Sequence, residues 1–199
     1  MEQIISKEEL NELKKIEGKA RGVSIKDYGD YLLLKKGAEG LKALEEATIK
    51  LGYPIDYRKL KRMDYYPLWF EGLTLLLIKR LFDFNDEEIQ KMGRSQAKVS
   101  ILIRIYMKYF SSLRKTAAMV PKIWRSFYEV GEIKIIDLDE EKKSVIIRIE
   151  NFKLIPLFCI YISGYFSEIL QLIVGVKTTC EETRCVHRGD PCHEFLLKW

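Results

Sequence analysis

The chain has 199 residues, the size of one ordinary domain, and is long enough to bury a core without disulfides or a metal. Its 47% hydrophobic and 32% charged residues are the balance of a globular protein. A net charge of +5, from 34 basic and 29 acidic residues, is too evenly spread to indicate nucleic acid as a partner. We interpret the basic run Arg58 to Arg62 as a solvated helix face.

The chain opens with Met1-Glu2-Gln3 and shows neither the basic nor the apolar segment of a signal peptide. We therefore expect a cytoplasmic protein whose cysteines are reduced thiols or metal ligands. One apolar stretch, residues 154–176, is long enough to test for membrane insertion, but Glu168 interrupts it. Because an ionisable group near a bilayer centre costs at least ~2.5 kcal/mol, we predict a buried core helix and no membrane partner.

The N-terminal half carries helix signals. Ser6 and Glu9 form a capping box, and Leu10, Leu13 and Ile16 follow at helical spacing. Further patterns predict helices at about 38–50, 67–82, 85–93 and 99–110, and around 123–127.

After Gly131 the hydrophobic period changes from helical to alternating, and residues 133–138 and 145–149 predict a β-hairpin. A long apolar helix at about 156–173 follows, then strands at 180–184 and 194–199. A helical half followed by β-β-α-β-β predicts an α+β fold with one antiparallel sheet. We expect a single domain, 1–199, with a helical sub-lobe (1–130) and an α+β sub-lobe (131–199).

Cysteine and histidine cluster near the C-terminus, without a CxxC motif. Glu182, Cys185 and the adjacent Cys192-His193 could meet across two antiparallel strands, and Cys159 on the preceding helix could supply a fourth group. This set of sulfur, nitrogen and oxygen donors suits Zn²⁺. In the alternative interpretation Cys159 is a small core residue and the others have no joint role.

The same segment resembles the C-terminal signature of the 4-vinyl reductase family, which is Glu-x-x-Cys, then Gly-Asp, then Cys-x-Phe. In this chain Glu182, Cys185, Gly189-Asp190 and Phe195 match it. The family is related to the haem–nitric-oxide-binding fold and to trafficking-complex subunits. Other segments are similar to stand-alone bacterial or archaeal members: residues 159–165 with Gly175, then more loosely 37–41, 66–67 and 92–94.

The resemblance implies zinc ligands at Cys159, Glu182, Cys185 and position 193. The family has Cys at the last position, whereas this chain has His193, with Cys192 one place earlier. Either His193 ligates, or Cys192 replaces it, or the metal is lost. A zinc ion with four protein ligands would be structural.

Two cysteines, Cys180 and Cys192, would be spare thiols beside such a site. A nearby cation lowers the pKa of a thiol and allows redox sensing, whereas the alternative is that both are inert strand cysteines.

A second candidate site is aromatic. Side chains of this type are most often plain core, but the resemblance implies a small apolar or aromatic ligand between helix and sheet. Haem normally needs an axial His, Cys, Met or Tyr, and both histidines lie in the C-terminal hairpin, so haem stays open as a cofactor but no pattern supports it. The candidate ligand-binding residues are Trp124, Phe127, Tyr128, Phe158, Tyr161 and Tyr165.

The function that the resemblance implies is a ligand-binding sensor that forms a homodimer and signals to a protein partner in trans. The sequence has no GxGxxG, P-loop, GxSxG or HExxH motif, so we expect no enzyme. Two other classes stay open: an enzyme acting on a tetrapyrrole, and a ligand-free interaction or scaffold protein.

Overall fold

A computed structural model describes residues 4–99 and 112–199. Its described part has a mainly helical N-terminal half, followed by a four-stranded antiparallel sheet and a long helix. This α+β architecture confirms the predicted fold class. The chain divides into two compact units: Met1–Glu87 with Phe127–Glu129, and Glu88–Ser126 with Val130–Trp199.

The first unit is mainly helical. The capping box predicted at Ser6 and Glu9 is present and starts the first helix. The second helix bends at Gly37, where φ is +70°, a conformation that favours glycine. Two short strands pair antiparallel and were not predicted. The elements are α1 Lys7–Lys14, β1 Lys19–Arg21, α2 Gly22–Lys50, β2 Tyr65–Pro67 and α3 Leu68–Leu81.

The second unit contains the sheet, with all neighbouring strands antiparallel in the order β3-β4-β6-β5. Val145, Ile147 and Ile149 of β4 are buried on one face, as their alternation predicted. The β-β-α-β-β order is confirmed. The elements are α4 Asp86–Val99, α5 Leu113–Arg125, β3 Glu132–Asp139, β4 Ser144–Glu150, α6 Pro156–Val174, β5 Thr179–Arg184, a 3₁₀ turn Val186–Arg188 and β6 His193–Lys198.

Helix α4 runs past Gly93, where the sequence predicted its end. A Cβ at Gly93 would overlap the carbonyl oxygen of Tyr161 on α6, and one at Gly164 would overlap that of Gln90 on α4. The two glycines therefore let the helix backbones touch, and packing, rather than termination, explains Gly93. The predicted helix at 99–110 lies almost wholly outside the described residues.

Helix α6 is the one described helix that is long and apolar enough to cross a membrane by length and composition, and 61% of its most apolar window is buried within the fold. Glu168, 2% exposed, lies within it. Its carboxylate lies 3.3 Å from Lys98 Nζ and 3.7 Å from an Arg94 guanidinium nitrogen. A buried carboxylate that is paired with two cations fits a core helix.

Candidate metal centre

Three elements of the second unit and one loop bring four potential metal ligands together. Cys159 lies in the first turns of α6, Glu182 on β5, Cys185 directly after β5, and His193 at the start of β6. Because β5 and β6 are antiparallel neighbours, the end of one lies beside the start of the other. One ligand atom from each of the four residues lies within 4.8 Å of all the others.

Two of the separations within the cluster match those expected around a tetrahedral zinc ion. Zinc bonds of about 2.3 Å to sulfur and about 2.0 Å to nitrogen would place two sulfurs roughly 3.8 Å apart, and sulfur and nitrogen roughly 3.5 Å apart. The distance between Cys159 Sγ and Cys185 Sγ is 3.8 Å, and that between Cys159 Sγ and His193 Nδ1 is 3.5 Å. His193 Nδ1 and Glu182 Oε1 are closer, at 3.0 Å, the length of a hydrogen bond.

The cluster is protected from solvent. Cys159, Cys185 and His193 are buried, and Glu182 is half-buried. Burial and the neighbouring Glu182 carboxylate raise the pKa of the Cys159 thiol well above its ordinary value. Burial also acts to raise the pKa of Glu182, but hydrogen bonds from His193, Cys159 and Cys185 outweigh it and lower that pKa. A divalent cation would supply the positive charge that turns the thiols into thiolate ligands.

The other two cysteines do not belong to this group. Cys192 is buried next to His193 but is not among the four clustered residues. Cys180 is half-buried on β5, and burial raises the pKa of its thiol to about 12. A thiol with such a pKa stays protonated at neutral pH, which disfavours the redox role considered for Cys180.

The six residues predicted to bind a ligand divide between the two units. In the second unit Trp124 contacts Phe152 edge-on at 5.1 Å, and Phe158 links Phe152 to Tyr161. Tyr165 in the same unit is half-buried and contacts Phe166. Phe127 and Tyr128 belong to the first unit.

A small groove of about 160 Å³ lies beside this aromatic group. Trp124 forms part of its wall, and the indole N–H donates to the carbonyl of Val130 at 3.1 Å, which fixes the ring. The groove is lined by Pro121, Trp124, Arg125, Glu132, Ile133 and Lys134.

Sequence reasoning missed a buried acid in the first unit. Glu71 on α3 is 1% exposed, and its Oε1 accepts hydrogen bonds from the hydroxyls of Tyr28 at 2.7 Å and Tyr128 at 3.0 Å. Burial raises the pKa of Glu71 to about 7, although both hydrogen bonds act to lower it. The available signal was a single carboxylate in an otherwise apolar helix start, Leu68-Trp69-Phe70-Glu71.

The two histidines lie close to each other. The sequence has two, His187 and His193, and both lie in the C-terminal segment of the second unit. His193 Nδ1 is directed at Cys159 and Glu182, and the His187 ring is 5.8 Å from that of His193. His193 therefore faces the metal cluster, and His187 lies beside it.

Comparison with known proteins identifies the fold of this chain. No family model matches the sequence, and no curated protein matches it. Among solved structures, an H-NOX protein from S. oneidensis in the Fe(II)NO ligation state matches with a TM-score of 0.66 and 12% identity, over 89% of this chain and 98% of that one. The chain shares the H-NOX fold. An unliganded Fe(II) H-NOX mutant from K. algicida matches with a TM-score of 0.63 and 12% identity, over 89% of this chain and 95% of that one.

The other two predicted relationships are not shown. A trafficking protein particle complex subunit 3 from Naegleria fowleri, bound covalently to palmitic acid, matches with a TM-score of only 0.48 and 15% identity, over 64% of this chain and 91% of that one. The 4-vinyl reductase resemblance stays a prediction that rests on the C-terminal motif.

Proposed function

We propose that this protein is a ligand-responsive regulatory module with an H-NOX-like fold, in which a structural zinc ion fastens the C-terminal strands to helix α6. The observation that carries the metal part is the convergence of one ligand atom each from Cys159, Glu182, Cys185 and His193 within 4.8 Å of one another. The separations from Cys159 Sγ to Cys185 Sγ and to His193 Nδ1 are those of a tetrahedral zinc site. Four protein ligands leave no open position for a substrate or a catalytic water, so the role is structural.

The proposed sensor role is supported by the fold. The H-NOX neighbours include one in an Fe(II)NO ligation state and others from work on haem distortion, so these proteins hold a ligand. Because His193 faces the proposed zinc site, we propose a small apolar or aromatic ligand rather than haem, held near the aromatic residues of the second unit. Trp124 is the best-supported contact, since it also lines the groove of the second unit. Phe158 and Tyr161 are proposed with it because their rings belong to the same connected group.

We further propose a cytoplasmic homodimer that passes its response to a protein partner. The cytoplasmic location is proposed because the sequence predicts reduced thiols or metal ligands rather than a disulfide framework. The partner in trans is proposed from the sensor role.

The first experiment is native mass spectrometry of freshly purified protein, compared with its denatured mass. The proposal predicts one zinc per chain in the native state and its loss on denaturation. An additional organic mass would identify the ligand directly. A native mass equal to the bare chain, after purification in buffer supplemented with zinc, would contradict the metal site.

One observation favours a second candidate, an interaction or scaffold protein. The rings of Trp124, Phe152, Phe158 and Tyr161 contact one another, as they would in a filled core. A scaffold would bind zinc, but its tryptophan fluorescence would not change when a small aromatic compound is added. The chain has three tryptophans, so titrating the intrinsic fluorescence of the wild type and of Trp124→Phe with a panel of apolar ligands separates the two functions.

A further inference from the structure

The loop between β5 and β6 folds back on its own beginning. The backbone N–H of Cys185 donates to Asp190 Oδ2 at 2.8 Å, and the Cys185 carbonyl accepts from the N–H groups of Arg188 at 2.9 Å and Asp190 at 3.2 Å. Gly189 has φ +93°, which lets the chain reverse there. These bonds fix the positions of Cys185 and Arg188 together.

Arg188 reaches from this loop to Glu182 on β5. One guanidinium nitrogen lies 3.2 Å from Glu182 Oε2 and the other lies 3.2 Å from the Glu182 backbone carbonyl oxygen. The second carboxylate oxygen, Oε1, faces His193 Nδ1 at 3.0 Å. The two oxygens of one carboxylate therefore have different partners, one inside the cluster and one outside it.

A cationic side chain next to Glu182 would also balance the charge of the metal-bound cluster. Metal binding needs both thiols deprotonated and the imidazole neutral. Two thiolates and a carboxylate around a divalent ion leave one formal negative charge in a largely buried site, and burying an unpaired charge is costly. Arg188 supplies a positive charge here, with a guanidinium nitrogen 3.2 Å from Glu182 Oε2.

We propose that Arg188 is the positioning residue of the metal centre, which holds Glu182 as a one-oxygen ligand and balances the charge of the four ligands. This inference rests on the zinc site proposed above. A planar guanidinium can hold the carboxylate and the backbone carbonyl at once, whereas a lysine ammonium is a point charge on a flexible stem. Groups that orient a metal ligand typically change metal affinity by roughly 10–100-fold.

The test compares the full-length wild type with Arg188→Met, Arg188→Lys and a matched control, Arg184→Met. Arg184 lies at the end of β5, is half-exposed and pairs with Glu194 at 3.7 Å, so its loss removes one positive charge from the same strand. Zinc affinity is measured by competition with a chelator, and ligand geometry by the visible absorption of the cobalt(II)-loaded proteins.

We expect Arg188→Met to bind zinc roughly 10–100-fold more weakly and to lose intensity in the cobalt bands of tetrahedral coordination. Arg188→Lys should fall between it and the wild type, and Arg184→Met should match the wild type. Wild type that binds neither metal overturns the zinc site and this inference with it. Wild type that binds zinc while Arg188→Met matches Arg184→Met overturns only the role of Arg188. Should Arg188→Met fail to fold, an Arg188→Lys variant with unchanged affinity and spectrum overturns that role as well.

Discussion

Replacing Glu71 by Gln should change how the stability of the chain depends on pH. The carboxyl group is fully buried, and the hydroxyls of Tyr28 and Tyr128 both donate to its Oε1. Its second oxygen, Oε2, is buried and has no hydrogen-bond partner among the described residues. Glutamine keeps an oxygen that can accept both tyrosine hydroxyls and cannot titrate.

The pKa of Glu71 sets the direction and the size of the change in unfolding free energy with pH. Burial raises the pKa of Glu71 from 4.5 to about 7 in the folded chain. An acid with a raised pKa favours folding when protonated, so its contribution is complete below pH 4.5 and is lost as the pH rises through 7. A difference of this size corresponds to about 3 kcal/mol of unfolding free energy. Burial also raises the pKa of Asp27 to about 6, so both the wild type and Glu71→Gln lose some unfolding free energy from Asp27 as the pH rises.

The assay is urea unfolding of the wild type and Glu71→Gln at a series of pH values from 4 to 9. The buried amide N–H₂ of glutamine gives a penalty that does not depend on pH, so the informative quantity is the change in the difference between the two proteins. We expect that difference to shift by about 3 kcal/mol in favour of Glu71→Gln between pH 4.5 and 8. Parallel stability curves would refute the reasoning. Tyr128→Phe, which removes one donor to the carboxylate, should steepen the loss instead.

Two further predictions concern the second unit. Gly164→Ala should destabilise the chain by roughly 1–3 kcal/mol in urea unfolding, because the new Cβ would overlap the carbonyl oxygen of Gln90. This overpacking outweighs the better helix propensity of alanine. An unchanged or higher stability would mean that α4 and α6 do not touch there. Cys185→Ser should lose the bound zinc, measured by elemental analysis, together with several kcal/mol of stability. Cys180→Ser, at a thiol outside the cluster, is the control and should retain both; a Cys185→Ser protein with full thermal stability would contradict a structural metal.

The sequence predicted which residues are candidate metal ligands, but not how their side chains are arranged. The donor types and the short spacing from Glu182 to His193 pointed to two adjacent strands, and the structure places Glu182 and His193 at 3.0 Å. Whether Cys192 or His193 faces the cluster was left open by the sequence. A strand exposes alternate residues to opposite faces, and only the observed register of β6 against β4, with His193 opposite Ile149, decides between them. Ligation itself remains a prediction.

The contact between Arg188 and β5 could not be predicted from the sequence. The sequence alone assigns Arg188 no role, because nothing local to residues 188–191 shows that the side chain returns to β5. That contact depends on the left-handed conformation of Gly189 and on the Asp190 carboxylate, which together close the loop on Cys185.

The sequence by itself determined the class of this fold, since the change from helical to alternating periodicity after Gly131 is a local pattern. It also predicted that the apolar residues 156–173 form a core helix, because Glu168 interrupts them. It also marked Cys159 and Cys185 as candidate ligands. The tertiary structure alone decided that Gly93 and Gly164 are points of helix contact and that Glu71 is a buried acid held by two tyrosines. These features depend on residues far apart in the chain, and periodicity carries no information about which distant partner a side chain meets.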